Sequence, residues 1–166
     1  MRGCSLVFLL YTGPVLVQNR GSFPHCGHPG FEFNIRGKLG TNLFAPFVAT
    51  IDRVTGEITV DLASFIPANM IAAPSGTTHF KIISAGAEID FEAETFIETH
   101  SESAILPWDA TATAPINQVN AVTPASTKPL FLALGVEFYQ EVNGQMYPLK
   151  NGAFNPLSVV KVDSGV

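Results

Sequence analysis

The sequence is poor in charged residues, and positive charge is scarcer than negative charge. Only 14% of the 166 residues are Asp, Glu, Lys or Arg, and the formal net charge is −5. No Lys or Arg occurs in residues 82–127, and the nine basic residues are dispersed over the rest of the chain. Because nucleic-acid binding depends on clustered Lys and Arg, the composition argues against a nucleic-acid partner.

Cysteine and long apolar runs are also scarce. The two cysteines, Cys4 and Cys26, can pair in an oxidising compartment or stay reduced in a reducing one. His25 and His28 flank Cys26 and Gly27, but the adjacent His25 and Cys26 cannot easily point to one ion, so we interpret them as loop residues. No apolar run reaches the roughly 18 residues of a membrane-spanning helix, so we predict no transmembrane span.

Recognisable catalytic motifs are missing as well. Gly37-Lys38 is followed by Leu39, and the preceding glycine is Gly30, so the spacing does not fit a P-loop. The chain has no G-x-S-x-G nucleophile elbow. An enzyme would need His79 or His100 to converge with acidic residues from 88–109, and we predict that the protein is not an enzyme.

The residues that are abundant favour an all-β protein. Apolar residues make up 46% of the chain, 13 of them are Phe, and few charged residues fall at helical spacing. Seven or eight short strands separated by turn signals predict an immunoglobulin-like, two-sheet antiparallel sandwich. We assign this sandwich to residues 31–166 as a single domain, since the composition of residues 1–30 differs.

The main element of the predicted sandwich is a hairpin in residues 129–162. Asn143-Gly144 suits a two-residue type I′ turn, because both central residues need a positive φ. Pro148 has no N–H, so the returning strand should be an edge or be distorted there. Alternation predicts a strand buried on one side, with these residues on the buried face: Leu130, Leu132, Leu134, Val136, Phe138 and Val142.

A second hairpin is predicted in residues 46–62. Asp52 should cap a type I turn that ends at a left-handed Gly56. We expect further strands at residues 31–36, 79–91, 96–102 and 116–122, and one helical turn in residues 68–73.

The first thirty residues combine one positive charge with the short apolar run Leu6 to Leu10. This is the outline of a signal peptide, although no small-x-small cleavage site follows Gly13-Pro14. The alternatives are a loosely attached arm or an added strand that covers a sheet edge. A signal would place the protein outside the cell or at its surface.

An acidic region is the most suggestive chemical feature. Half of the 14 acidic residues lie in residues 88–109. On one extended strand, alternating carboxylates would line one face about 7 Å apart, and a calcium ion could relieve their repulsion. We favour the alternative, a solvated outer face, and predict no cofactor and no specific metal there. The candidate metal ligands are Glu88, Asp90, Glu92 and Glu94.

Trp108 is the only tryptophan, and Asp109 follows it. An exposed indole beside a carboxylate is typical of a sugar-stacking site, because aromatic faces suit amphipathic ligands. We favour the alternative, a half-buried Trp108 that anchors the core.

Four stretches resemble a group of uncharacterised bacterial proteins of the kind found in Bacteroidota. They are residues 78–87 (THFKIISAGA), 135–144 (GVEFYQEVNG), 147–152 (YPLKNG) and 157–162 (LSVVKV). The resemblance covers residues 31–166 and implies a bacterial β-sandwich, but it implies no known activity.

These observations favour a non-catalytic binding or structural assembly module, surface-associated or secreted. Edge strands with few charges suit association with a protein partner or with a second copy. The alternative is a calcium- or carbohydrate-binding module that uses the acidic region and Trp108.

Overall fold

The structure is a computed structural model, and it describes residues 29–165. Expectations for Cys4, Cys26, His25, His28 and the apolar run Leu6 to Leu10 therefore fall outside the described residues.

Two antiparallel sheets make up the described chain. The smaller sheet has the strand order β1-β2-β6, and the larger has the order β4-β3-β7-β8, with β5 beside β3 and β9 beside β7. The strands are β1 Phe47–Asp52, β2 Glu57–Leu62, β3 His79–Asp90, β4 Thr95–Glu102, β5 Leu106–Pro107, β6 Ile116–Ala121, β7 Leu130–Val142, β8 Gln145–Pro148 and β9 Leu157–Asp163. The helices are α1 Leu39–Asn42, α2 Pro67–Met70 and a 3₁₀ turn at Leu149–Gly152. The prediction of an all-β fold is confirmed.

One apolar core lies between the two sheets. It joins Ile58 and Val60 of the smaller sheet to Phe80 and Ile82 of the larger one, together with the inward side chains of β7. Two sheets that share such a core have the layers of a β-sandwich. In residues 29–165 no helix is long and apolar enough to cross a membrane.

β3 and β7 form the centre of the larger sheet. They pair antiparallel from His79 opposite Tyr139 to Glu88 opposite Leu130. The residues predicted on the buried face of β7 are buried except Val142, which is 45% exposed beside the turn. The expectation of burial on one side is wrong, since every residue from Leu130 to Phe138 is buried. A strand that is covered on both faces must have a second layer over its outer face.

Residues that precede the first helix supply part of this outer cover. Phe31 and Phe33 pack against Phe131 and Val159 on the outer face of the larger sheet. The predicted strand at residues 31–36 is wrong apart from one bridge, Glu32 to Ser158, because the chain turns away after residue 33.

The hairpin between β7 and β8 is confirmed. Val142 pairs with Gln145, and both Asn143 and Gly144 have positive φ, as a type I′ turn requires. All four residues of β8 are exposed, and the strand ends at Pro148. The prediction of an edge strand at Pro148 is also confirmed, whereas the apolar half of β7 pairs with β9 instead.

The hairpin between β1 and β2 is confirmed in its turn chemistry. Asp52 Oδ1 accepts hydrogen bonds from the N–H groups of Val54 at 2.9 Å and Thr55 at 3.3 Å. Gly56 has a φ of 73° and donates its N–H to Asp52 O at 2.9 Å. The predicted helical turn in residues 68–73 is confirmed in part by α2, and the predicted strand at 116–122 by β6.

Replacement of Phe138 by Ala should lower the free energy of unfolding by about 3–5 kcal/mol, because a large side chain that is only 1% exposed would leave a cavity. Urea denaturation measures this loss. The matched control is Phe96→Ala, where the side chain is 51% exposed and the loss should stay below about 0.5 kcal/mol. Equal losses at the two positions would contradict the assigned core.

Candidate functional site

The two long sides of the sandwich differ in how they are closed. On one side β9 lies beside β1, and we call this side the closed flank. On the other side β4 lies beside β6, and we call this side the open flank.

Cationic side chains and an added segment secure the closed flank. Lys161 Nζ donates a hydrogen bond to Ala49 O at 2.9 Å, which links β9 to β1. Arg53 forms an ion pair with Asp163 at 2.6 Å, and this hydrogen-bonded contact lowers the pKa of that carboxyl. Residues 30–33 run along β9, where Gly30 N donates to Val159 O at 2.7 Å. The edge of β9 is therefore partly occupied.

The edge of β4 has no such cover within residues 29–165. The Ser103 N–H donates to Ile82 O at 2.9 Å, in the same register that pairs Ile83 with Glu102. Because hydrogen-bonded pairs alternate along an antiparallel ladder, the odd-numbered residues of β4 bond to β3. The outward N–H and C=O groups belong to Phe96, Glu98, His100 and Glu102.

The edge of β6 is open in the same way. Val122 N donates to Gly56 O at 2.8 Å, so alternate residues of β6 bond to β2. Asn117, Val119 and Ala121 then direct their main-chain groups away from the sheet. The open flank therefore has two neighbouring strand edges that no described segment pairs with.

Between these edges lies a seam of buried polar side chains. Gln118 Nε2 donates to Ile82 O at 2.8 Å, and Asn120 Nδ2 donates to Ser84 Oγ at 2.9 Å. Three buried side-chain oxygens have no hydrogen-bond partner among the described residues: Thr99 Oγ1, Gln118 Oε1 and Asn120 Oδ1. Leaving such buried oxygens unpaired costs free energy. Each is the negative end of a side-chain dipole, and no described hydrogen-bond donor compensates it on the inner side of β4.

Gly86 lets the seam close. A Cβ atom at this position would lie 2.9 Å from Asn120 Cβ and 3.2 Å from Ile58 Cδ1. A larger residue would therefore push β6 away from β3 and disturb both hydrogen bonds of the seam.

The two carboxylates on the outer face of β4 differ in whether a described cation pairs with them. Glu102 pairs with Lys81 at 3.0 Å, and Lys81 also lies 3.7 Å from Glu137. Burial lowers the pKa of Lys81, but the hydrogen bond to Glu102 and the neighbouring negative groups outweigh it and raise that pKa overall. Glu98 has no ion pair with any residue that the structure describes, so its charge remains available.

Tyr139 belongs to the same group of side chains. Its hydroxyl donates to Glu137 Oε2 at 2.7 Å. Burial and then the Glu137 carboxylate raise the pKa of Tyr139 to about 12. The hydroxyl therefore stays protonated at neutral pH and acts as a hydrogen-bond donor.

The four predicted metal ligands do not share one strand face, so that expectation is wrong. β3 ends at Asp90, and residues 91–94 form a tight turn before β4 begins. Asp90 Oδ1 accepts from Glu92 N at 3.0 Å and Ala93 N at 2.9 Å, as Asp52 does in the first hairpin. Glu94 has a φ of 54° and takes the left-handed position that Gly56 takes there.

Glu88 points in the opposite direction from that expected, into the protein, and is only 3% exposed. Its carboxylate accepts from Ser126 Oγ at 2.8 Å and Thr123 N at 3.1 Å. Burial raises the pKa of Glu88, but these hydrogen bonds and the Lys128 ammonium 4.0 Å away outweigh it and lower that pKa overall. Glu88 therefore holds the β6–β7 connection against β3.

The calcium alternative depended on four carboxylates along one extended strand, and β3 ends at Asp90. Among residues 29–165, no group of three or more His, Cys, Asp or Glu side chains could hold a metal ion together. Asp90 pairs with Lys128 at 3.2 Å, which already compensates its charge. The prediction of no specific metal stays a prediction, and the calcium alternative has no support from this arrangement.

Trp108 and Asp109 stabilise the fold locally. Trp108 is half-buried against the core, and its Nε1 donates to Ile71 O at 3.1 Å. Asp109 Oδ1 accepts from Thr111 N at 2.7 Å, and its main-chain oxygen accepts from Ala68 N at 2.9 Å. These contacts agree with the anchor alternative, and sugar binding stays a prediction.

The contacts of His79, in the part of the chain that the structure describes, do not involve the acidic region. His79 Nδ1 lies 2.9 Å from Thr78 Oγ1, and its Nε2 lies 3.9 Å from Glu141. Glu141 lies outside the acidic region, and His100 is exposed on β4. Neither contact unites a histidine with an acidic residue from 88–109.

The sequence analysis missed the polar seam. The signal was present in β6, where Gln118 and Asn120 alternate with the more hydrophobic positions Val119 and Ala121. A pattern of this kind predicts that the amides face outward, whereas in the structure they face inward because β3 offers Ile82 O and Ser84 Oγ as partners.

Replacement of Glu88 by Gln should lower the free energy of unfolding at pH 7 by about 1–3 kcal/mol, because the buried donors lose a charged acceptor. The pKa of Glu88 lies below its ordinary value of 4.5 in the folded state, so its stabilisation is present above that pH. As the pH falls through the folded pKa, the stabilisation is lost and the difference between variant and wild type should shrink.

Urea denaturation between pH 7 and pH 3 measures this difference. Glu92→Gln is the matched control, since the Glu92 side chain is exposed in the turn and should change stability little at any pH. A Glu88→Gln loss that is absent at pH 7, or that grows on acidification, would contradict the assigned role.

Comparison with protein-family models, with curated proteins and with solved structures found no match to the chain. The resemblance to bacterial proteins from Bacteroidota therefore stays a prediction. Functional inference for this protein depends on the geometry of the open flank.

Proposed function

We propose that the protein is a non-catalytic binding or assembly module whose open flank accepts an extended polypeptide segment along β4. The observation that carries this proposal is the row of outward main-chain groups at Phe96, Glu98, His100 and Glu102. An added strand satisfies such groups through main-chain hydrogen bonds and so extends the sheet.

The length of β4 and its lack of Pro and Lys support this use of the edge, where Glu98 and Glu102 are the only acidic side chains. Proteins commonly protect exposed edges with Pro, Lys or very short strands. β8 has only four residues and ends at Pro148, and β9 is flanked by residues 30–33. β4 has eight residues and includes neither Pro nor Lys.

Exposed apolar side chains beside the edge also support the proposal. Phe96 and Ile97 are 51% and 47% exposed, and Phe91 in the adjoining turn is 45% exposed. Exposed large apolar side chains are typical of protein-interaction surfaces, and here they stand on both faces of one end of β4. They would add side-chain contacts to main-chain pairing at one end of β4.

Three further expectations belong to this proposal. An immunoglobulin-like topology is consistent with two antiparallel sheets that present edges at their sides. A bacterial origin and a surface-associated or secreted location rest on the sequence resemblance and on the signal-like first residues. The non-catalytic role is supported by the contacts of His79, whose ring meets Thr78 and Glu141 and not an acidic residue from 88–109.

A phage-displayed library of linear eight-residue peptides provides a test that needs no known partner. We expect enriched peptides that bind the wild-type protein, that still bind the Glu98→Ala variant with at most about fivefold lower affinity, and that do not bind the Glu98→Pro variant. Proline removes the outward N–H of residue 98 and places its ring on the edge, while the bonds between β4 and β3 stay intact.

Circular dichroism and urea denaturation of both variants establish that they are folded. Should Glu98→Pro unfold, Ile97→Lys replaces it as the test variant, because a charged side chain on the same edge disfavours strand addition. The proposal is wrong if no linear peptide is enriched. It is also wrong if the enriched peptides bind Glu98→Pro, or its replacement Ile97→Lys, as tightly as they bind the wild-type protein.

A further inference from the structure

We infer that the segment accepted by β4 is an extended strand with basic residues on one face and apolar residues on the other. This inference depends on the proposed function, because it specifies the partner chemistry of the same edge. It arises from the alternating side chains of β4 and from the charges that surround them.

The outer face of β4 determines where the partner's positive charges would lie. Its side chains are Phe96, Glu98, His100 and Glu102, which pair across the ladder with Ile89, Ala87, Ala85 and Ile83 of β3. An added strand places alternate residues directly opposite this row, with Cβ atoms about 4.5–5.5 Å away. A Lys or Arg opposite Glu98 would meet a carboxylate beside small alanine neighbours.

Cations from the protein itself compensate only part of this negative charge. Lys81 neutralises Glu102, but Glu98 has no ion pair with any described residue. Lys81 and Lys128 are the nearest cationic residues before and after this region in the sequence. The flank is therefore left with charge that a basic partner complements.

The polar seam contributes to the same potential independently of the carboxylates. The amide oxygens of Gln118 and Asn120 are almost fully buried and have no hydrogen-bond partner among the described residues. Oxygen atoms of this kind are the negative ends of side-chain dipoles, and they lie in the layer beneath β4. They favour a cation on this flank over an anion.

The inner face of the partner strand should be apolar. Ile97, which points to the inner side of β4, is 47% exposed at the open flank. A residue opposite Ile97 would cover this apolar surface and the approach to the seam. A strand of alternating basic and apolar residues satisfies both faces.

A second copy of this chain fits the edge less well. An antiparallel pairing of β4 with β4 that uses the outward groups can place Glu98 opposite Glu98, and like charges directly opposite each other are destabilising. Moving the pairing by two residues places Glu98 opposite His100, but both chains still carry a net charge of −5. Charge complementarity therefore favours a basic partner.

Three synthetic eight-residue peptides test the inference with the full-length protein. They alternate Val with Lys, with Thr or with Glu, and carry a fluorophore for anisotropy measurements. We expect the Lys peptide to bind at least about tenfold more tightly than the Thr peptide at low ionic strength, and the Glu peptide to bind weakest. This preference should decrease when salt screens the charges.

Glu98→Gln should weaken binding of the Lys peptide about fivefold and leave binding of the Thr peptide unchanged. The matched control is Glu57→Gln, which removes an exposed carboxylate from β2 and not from β4. Equal weakening by the two variants would mean that net charge, not Glu98, attracts the peptide, and would overturn the inference.

The outcomes separate the inference from the proposed function. If the Thr and Lys peptides bind equally and Glu98→Pro abolishes both, β4 accepts strands but the basic preference is wrong. If neither binds and the phage library gives no edge-sensitive peptide, the proposed function itself fails. If sedimentation instead detects a dimer that Glu98→Pro abolishes and the Lys peptide does not displace, the occupant is a second copy.

Discussion

The antiparallel pairing of β3 with β7 is the constraint on which the rest of the structure depends. The two strands pair from His79 opposite Tyr139 to Glu88 opposite Leu130, and most of their residues are buried. The inner face supplies Phe80, Ile82 and the large β7 side chains to the core. All other strands of the larger sheet attach to one of these two.

This central pair also determines which edges remain open. β7 has β8 and β9 on its other side, and β9 is linked to β1 through Lys161 and supported by residues 30–33. β3 has β4 on its other side, and no described segment pairs with β4 further out. Cationic side chains are distributed unevenly between the two flanks. Arg53 and Lys161 form contacts on the closed flank, whereas residues 82–127, which include β4 and β6, contain no Lys or Arg.

Local patterns predicted those parts of the fold that local chemistry determines. Asn143-Gly144 and Asp52 with Gly56 predicted two hairpins correctly, because each turn needs a specific φ or a side-chain acceptor. The core side of β7 was also predictable, since large apolar residues alternate there. An all-β architecture followed from the same strand and turn signals.

Long-range contacts determined the features that the sequence did not predict. Part of the outer face of β7, at Phe131, is buried because distant Phe31 and Phe33 cover it. The acidic row was misinterpreted because Glu94 takes a left-handed conformation that usually indicates Gly, so the turn was not recognised. Glu88 is buried because Thr123 and Ser126 provide donors from another connection.

Amide hydrogen exchange resolved residue by residue in β4 tests the central claim most directly. The account predicts an alternation, because the N–H groups of Ile97, Thr99 and Ser101 bond to β3 and those of Phe96, Glu98 and His100 point outward. The first group should exchange slowly and the second group quickly. Uniform protection along β4 in the isolated protein would mean that the edge is already covered, and would contradict the open flank.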